Sequence, residues 1–244
     1  MRIPRFYLPD DLQPDQNLEL PPGLFRHAVQ VLRLQPGQPL ILFNGRGGEY
    51  HGTLQQVDKR RATLHIDQHD PIDRESALPL TLVQSMIKPD KMDLVIQKSV
   101  ELGVSCIQPL SSQRSVIRPG RERLEKKMEH WQAVIHSACE QSGRTRIPTL
   151  LPALELQDWL SQDTTDTRLL LMPGAYPRLS SLSAPPPLQG FSLLVGPEGG
   201  FTEQEEQLCL QQGVTACSLG PRILRAETAG LAVLAWLQLQ FGDL

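Results

Sequence analysis

Leu193-Leu194-Val195-Gly196-Pro197-Glu198-Gly199-Gly200-Phe201-Thr202-Glu203 decides the fold. The run ending at Val195 is short, apolar and β-rich, which suits a strand covered on both faces. Pro197 cannot extend a ladder, and three glycines let the backbone turn tightly beside a bound molecule. Thr202 is placed to cap a helix whose first turn holds Glu203, Glu205 and Glu206. A strand, a glycine turn and a helix in this order put a ligand-sized gap at the carboxyl end of a sheet. The turn carries no Lys-Ser/Thr pair, so it is not a P-loop. It does not fit G-x-G-x-x-G either, and the acids that follow would repel a pyrophosphate. A positively charged ligand fits better; a tight turn with no ligand is the alternative.

Residues 214–238 repeat the arrangement. A strand from Val214 to Leu219 ends in Gly220-Pro221, and a short loop carries Arg222, Arg225 and Glu227. An apolar helix follows from about Thr228 to Gln240. Two such units in succession predict two loops facing one pocket. Arg222 and Arg225 lie between a buried strand and a buried helix, where a charge needs a partner or a ligand.

The chain has 244 residues, 40% hydrophobic and 21% charged, an ordinary globular composition with room for one large or two modest domains. Cys106, Cys139, Cys209 and Cys217 have no C-x-x-C spacing, so neither a zinc site nor a redox pair is indicated. Free thiols imply a reducing, cytoplasmic setting. The N-terminus lacks the apolar core of a secretory signal. The C-terminal helix, interrupted by Gln238 and Gln240, is too short to span a bilayer. The six histidines show no metal-ligand spacing, and G-x-S-x-G is absent. Net charge is −3, but residues 73–150 hold 12 basic and 9 acidic side chains. Phosphates would bind in that basic third.

The first 70 residues predict short strands at Ile3–Leu8, Pro39–Phe43, Glu49–Val57 and Ala62–Asp67, with one helix at about Leu24 to Leu34. Several short strands in this length suggest a small barrel. A polar link at Asp70–Ser76 places a boundary between domains 1–72 and 73–244. Beyond it, strands and helices alternate, as in a parallel sheet. Strands are expected at Leu80–Ile87, Val104–Leu110, Leu169–Met172, Ser192–Val195 and Thr215–Leu219. Helices are expected at Lys91–Leu102, Arg121–Ser142, Glu203–Gln212 and Thr228–Gln240. In the second helix Leu124, Met128, Trp131, Ile135 and Cys139 recur every three or four residues. Pro185-Pro186-Pro187 stiffens the loop before the fourth strand.

The motif pair G-P-E-G-G-F-T-E-x-E and L-G-P-R-I-L-R-A-E-T-A resembles the SPOUT methyltransferases. Within them the chain is similar to the RsmE family of 16S ribosomal RNA uridine-N3 methyltransferases. The likeness extends to Arg2-Ile-Pro-Arg-Phe6, His27-x-x-x-Val-Leu-Arg33, Ile96-Gln-Lys-Ser-Val-Glu-Leu-Gly103 and Cys139-Glu-Gln-Ser-Gly-Arg144. It implies an α/β fold: a trefoil-knotted SPOUT sheet, a rare exception to unknotted chains, preceded by a PUA-like RNA-binding barrel. It also implies a homodimer built with the last helix, where Leu231, Val233, Leu234, Trp236 and Leu237 suit burial on more than one side.

The implied cofactor is S-adenosylmethionine, whose adenine needs an apolar slot and whose sulfonium favours carbonyls and carboxylates. Three strand-end segments are expected to hold it: Leu171-Met172-Pro173; Leu194 with Gly196, Pro197, Glu198, Gly199 and Gly200; and Leu219, Gly220, Ile223, Leu224 and Arg225 with Thr228 and Ala229. Many family members have His where this chain has Met172, which leaves Met172 a backbone role. Glu198 would face the sulfonium or cap the following helix.

Methylation at N3 requires a weakly acidic proton to leave before the nitrogen attacks. Arg225 would steady a carbonyl oxygen as charge develops. Glu227 would position Arg225, take the proton, or complement the helix dipole. N3 lies on the pairing edge, so the uridine must be unpaired or flipped out. Candidate RNA contacts are Arg5, His27, Arg33, Lys88, Lys91, Lys98, Arg114 and Arg144; Lys98 and Glu101, one turn apart, would pair with each other instead. No metal is needed. The rival readings are another SPOUT activity, such as ribose 2′-O-methylation of transfer RNA, and a non-catalytic RNA-binding protein.

Overall fold

In the computed structural model, residues 3–115, 120–174, 176–186 and 189–244 are described. Arg2 of the first motif and Pro187 of the proline run lie outside them. The chain forms two compact units, Met1–Glu75 with Cys139–Ile147, and Ser76–Ala138 with Pro148–Leu244.

The first unit holds β1 (Arg5–Tyr7), β2 (Asn17–Glu19), α1 (Pro22–Phe25), β3 (Pro39–Phe43), β4 (Glu49–Val57) and β5 (Ala62–Asp70). They make one five-stranded sheet in the order β1-β3-β4-β5-β2, antiparallel except where β1 runs parallel to β3. Alternation along β4 and β5 sends Leu54, Leu64 and Ile66 inward, where Phe6, Leu24, Phe25 and Ala28 close the core. The single helix expected over 24–34 is instead α1 followed by a π-helix, Arg26–Val31, and Arg33 then takes a left-handed φ of 57°. β2 went unpredicted because Asn17-Leu18-Glu19 has no apolar alternation. It is an edge strand, exposed at both ends.

The second unit alternates as expected: β6 (Leu80–Ser85), α2 (Pro89–Glu101), β7 (Cys106–Ser111), α3 (Arg121–Ser142), β8 (Thr149–Leu150), β9 (Leu154–Glu155), α4 (Leu156–Leu160), β10 (Thr167–Leu171), β11 (Phe191–Val195), α5 (Glu203–Gln211), β12 (Thr215–Cys217) and α6 (Ala226–Phe241). The last turn of α3, from Cys139, belongs to the first unit. The strand order is β12-β10-β11-β6-β7-β8, with β9 also on β7, and every pairing is parallel. All five residues of β11 are buried, as its continuous apolar run requires. Leu194, Leu170 and Val83 pack on one face against Trp159, Leu160 and Cys209. On the other face, a Cβ at Gly230 of α6 would lie 3.2 Å from Val195 and 3.5 Å from Leu82, so glycine lets the helix close on the sheet.

Two short elements, β9 and α4, were not anticipated; five residues are too few to show a helical period. The loop after β10 crosses the end of β12. Ser218 donates its N–H to Pro177 O, and its own carbonyl accepts from Leu179 N–H. α6 then returns over β11 and β6.

Candidate active site

Three parallel strands, β10, β11 and β12, end side by side, and the loops beyond them enclose a cavity of about 520 Å³. Its apolar wall includes Leu171, Met172, Val195, Phe201, Leu219 and Ile223. The glycine loop Gly196–Gly200 forms a second wall, and the Leu219–Glu227 corner a third.

Each loop has a local cause. β11 stops at Val195, and Gly200 N–H closes a turn on Pro197 O. Thr202 then caps α5: its hydroxyl accepts the Glu205 N–H, and the Glu205 carboxylate accepts the Thr202 N–H, a reciprocal capping box. Glu198 is therefore not the cap. Its Oε1 accepts the Lys88 N–H at 3.2 Å, tying the glycine loop to the corner before α2. Gly220 has a φ of 110°, a backbone few other residues adopt, and a Cβ there would meet nothing within 4 Å. At Gly196 a Cβ would lie 3.1 Å from the Phe201 ring, so this glycine also makes room for a neighbouring side chain.

The corner after β12 is open in a second sense. Among the described residues, the main-chain groups of Leu219, Gly220, Ile223 and Leu224 make no hydrogen bond. Backbone donors and acceptors beside an apolar slot seek partners. They suit a ligand with a planar heteroaromatic ring, while the carboxylates of Glu198, Glu206 and Glu227 around the same space suit a cation. The residues present therefore fit S-adenosylmethionine, which needs both. Burial, and then Glu203 beside it, hold the Glu206 carboxyl above its ordinary 4.5. Burial also pushes the Cys217 thiol up to about 11, so this cavity-lining cysteine is a neutral side chain.

Most residues expected to hold the cofactor line this cavity. Two do not. Leu194 is fully buried in the core beside the sheet and is not among the cavity-lining residues. Thr228 is exposed on the outer side of the first turn of α6. Val195, Phe201, Glu206, Cys217 and Ala226 line the cavity unpredicted. Val195 and Cys217 are the last residues of their strands, which was the available signal.

Arg222 and Arg225 were expected to be charges under burial. Both are exposed, and both line the cavity; Arg225 is the N-cap of α6 and makes no side-chain cap bond. The buried charge is Glu227.

The candidate RNA contacts divide. His27 and Arg33 are exposed on the first unit, His27 standing edge-on to the Phe6 ring at 5.3 Å. Lys88 is exposed and Lys91 partly so. Lys98 pairs with Glu101 at 2.8 Å. Three expectations are corrected. Arg5 is held by Glu49 at 2.7 Å and by three main-chain carbonyls. Arg144 is buried against Glu75. Arg114 donates to the carbonyls of Gly199 and Phe201. Arg5 and Arg144 organise the fold and Arg114 the loop, where the basic middle third and the family-like motifs suggested RNA contacts. Among the described residues no cluster could hold a metal, and no helix is long and apolar enough to cross a membrane.

Comparison with known proteins agrees with this geometry. Residues 74–238 match the model of an RNA methyltransferase domain, and residues 20–67 that of an RNA methyltransferase PUA domain. The ribosomal RNA small subunit methyltransferase E of Buchnera aphidicola subsp. Schizaphis graminum is 33% identical over all of this chain and 98% of its own length. That of Bacillus subtilis is 33% identical over 88% of this chain and 86% of its own. The crystal structure of the Neisseria gonorrhoeae ribosomal RNA small subunit methyltransferase E, bound to S-adenosyl methionine, is 41% identical. It covers 99% of both chains with a TM-score of 0.92. A PUA-like unit, a parallel SPOUT-type sheet and a ligand cavity at its carboxyl edge thus occur together in one chain, which belongs to the ribosomal RNA small subunit methyltransferase E family of RNA methyltransferases.

Proposed function

We propose that this chain transfers a methyl group from S-adenosylmethionine to N3 of a uridine in the 16S RNA of the small ribosomal subunit. The supporting observation is the single cavity behind β10, β11 and β12, apolar on one side and carboxylate-lined on another, with Arg225 at its edge. Bound there, S-adenosylmethionine supplies an electrophilic methyl group on a positively charged sulfur. Leu171, Met172 and Leu219 through Leu224 bind and orient it, and Glu198 and Glu206 compensate its charge. Arg225 donates to a uracil carbonyl oxygen as N3 loses its proton, lowering the cost of the anion. The remaining contribution is alignment of the nitrogen with the methyl group.

The base must leave any pairing partner, so shape and phosphate contacts select the site. His27, Arg33 and Lys88 are the exposed groups assigned to the RNA. On α6, Leu231, Ala232, Ala235 and Trp236 stay partly exposed while Val233, Leu234 and Leu237 are buried. That second apolar face is assigned to a homodimer. The substrate places the enzyme in the cytoplasm.

The test is nucleoside analysis. Purified chain, S-adenosylmethionine and unmethylated small-subunit RNA should yield 3-methyluridine, and a deletion strain should lack it at one position. A 2′-O-methylated nucleoside, or no methyl transfer despite bound cofactor, would reject the reading.

A further inference from the structure

The cavity contains a buried carboxylate with an unusual partner. Glu227 sits in the first turn of α6 and faces the cavity. Its ionic partner comes from another element: Lys91 Nζ, in the first turn of α2, lies 3.8 Å from Glu227 Oε1. The same ammonium lies 4.0 Å from Asp90 Oδ2. Both separations exceed hydrogen-bond length. Among the described residues Lys91 therefore directs none of its three N–H donors to an acceptor. Charge holds the ammonium in place, and its donors remain available.

The position of Lys91 is fixed from both sides. The Lys88 N–H donates to Glu198 of the glycine loop, and α2 packs along α6. β6, which leads into this corner, is the direct neighbour of β11. The corner is thus a further strand-end loop on the same sheet edge, beyond the three that bind cofactor. Besides Lys91, the charged groups on these elements are Asp90, Asp93, Lys98 and Glu101 on α2, Glu227 on α6 with Arg225 at its N-cap, and Glu198 on the loop; Asp93 pairs with His130 and Lys98 with Glu101. A nucleobase entering beside Glu227 would have Arg225 at the N-cap of the same helix, and Lys91, on the packed helix α2, behind that carboxylate at 3.8 Å.

Uracil explains why two cations are useful. N3 lies between two carbonyls, so the anion formed by loss of its proton spreads charge onto O2 and O4. One cation neutralises only one end. Resting on the function proposed above, we infer that Lys91 is a catalytic residue that donates to the second uracil carbonyl oxygen. Glu227 is the positioning residue that holds it there. The N3–H bond breaks and its proton passes to water. The N3 lone pair forms the new bond to the methyl carbon, and the electron pair of the broken carbon–sulfur bond remains on sulfur. Glu227 already serves the ammonium and is not the proton acceptor.

The experiment uses the full-length protein with unmethylated small-subunit RNA and S-adenosylmethionine, in single turnovers across a pH series. Lys91→Met should lower kcat by about 10²- to 10³-fold, the usual effect of losing one preorganised donor. KM for RNA and Kd for cofactor should stay within about threefold on that account. Its residual rate should keep rising with pH where the wild type levels off, because the medium must then supply the anion unaided. Lys91→Arg should recover most of the rate. Glu227→Gln should lose less than Lys91→Met and add nothing to it in the double variant, as coupled residues do. An unchanged kcat with a raised KM, and a salt dependence shallower by about one, would make Lys91 a phosphate contact and overturn the inference. A wild-type product other than 3-methyluridine would instead reject the underlying function.

Discussion

Arg114 Nη1 donates to two carbonyl oxygens of one loop, Gly199 O at 3.0 Å and Phe201 O at 3.2 Å. The guanidinium thus spans the turn between β11 and α5. Next to it, Gln113 N–H donates to Glu205, the same carboxylate that completes the capping box. The segment after β7 therefore braces the glycine loop from outside the cavity. Glycine-rich backbone gains freedom when such a brace is lost. Arg114→Ala should weaken S-adenosylmethionine binding about tenfold, in line with about 1.4 kcal/mol for a partly exposed charged hydrogen bond. Titration calorimetry checks the affinity and thermal melting checks the fold. A lower Tm with unchanged affinity would make Arg114 a stabilising residue only.

Gly220 tests the opposite wall. Its φ of 110° is strained for any side chain, and Gly220 itself lines the cavity. Gly220→Val should abolish detectable cofactor binding while the first unit keeps its strand signal in circular dichroism. The loss comes from the distorted Leu219–Leu224 corner, whose free main-chain groups are the proposed ring contacts. Unaltered affinity would place the cofactor elsewhere.

Arg225 makes a different demand. It is exposed, caps nothing with its side chain, and lines the cavity. A group in that state contributes little to folding. Arg225→Ala should cut kcat by about 10²-fold or more, with cofactor Kd within about threefold. Rapid-quench methyl transfer beside calorimetry separates the two. Parallel losses would make Arg225 a cofactor ligand.

How far these residues were legible in the sequence follows from where the physics is local. The glycine loop, the Thr202 cap and Gly220-Pro221 act within a few residues of themselves, so the strand ends and the cavity walls could be read directly. Arg225 and Glu227 followed from their place after the last strand. What failed depended on distant partners. Arg5, Arg114 and Arg144 look like any basic residue along the chain; Glu49, the Gly199 carbonyl and Glu75 reach them only after folding. Arg225, expected under burial, is exposed for a similar reason, and the buried charge is Glu227. A helix N-terminus sends successive side chains in different directions, and only the packing of α6 on β11 and β6 decides which one is covered. The split of one expected helix into α1 and a π-helix left no sequence mark beyond apolar spacing.

Glu49 gives the last prediction, on stability. Its Oε1 accepts from Arg5 Nε and from Arg74 Nη1, each at 2.7 Å, and its side chain is buried. Burial pushes the carboxyl up, but the Arg74 hydrogen bond and the Arg5 charge together outweigh it, leaving Glu49 below its ordinary 4.5. A carboxylate depressed in the folded state stabilises the fold above its unfolded value. That stability is lost as pH falls through the folded value. The first unit should therefore weaken progressively in acid below about pH 4.5. Glu49→Gln should cost about 3–5 kcal/mol near neutrality, because the buried Arg5 guanidinium loses its counter-charge and the more exposed Arg74 loses an ionic partner. It should also flatten the acid limb, since a neutral amide does not titrate. Urea unfolding at neutral and acidic pH measures both effects. An acid limb as steep in the variant as in the wild type would assign the sensitivity to other carboxylates.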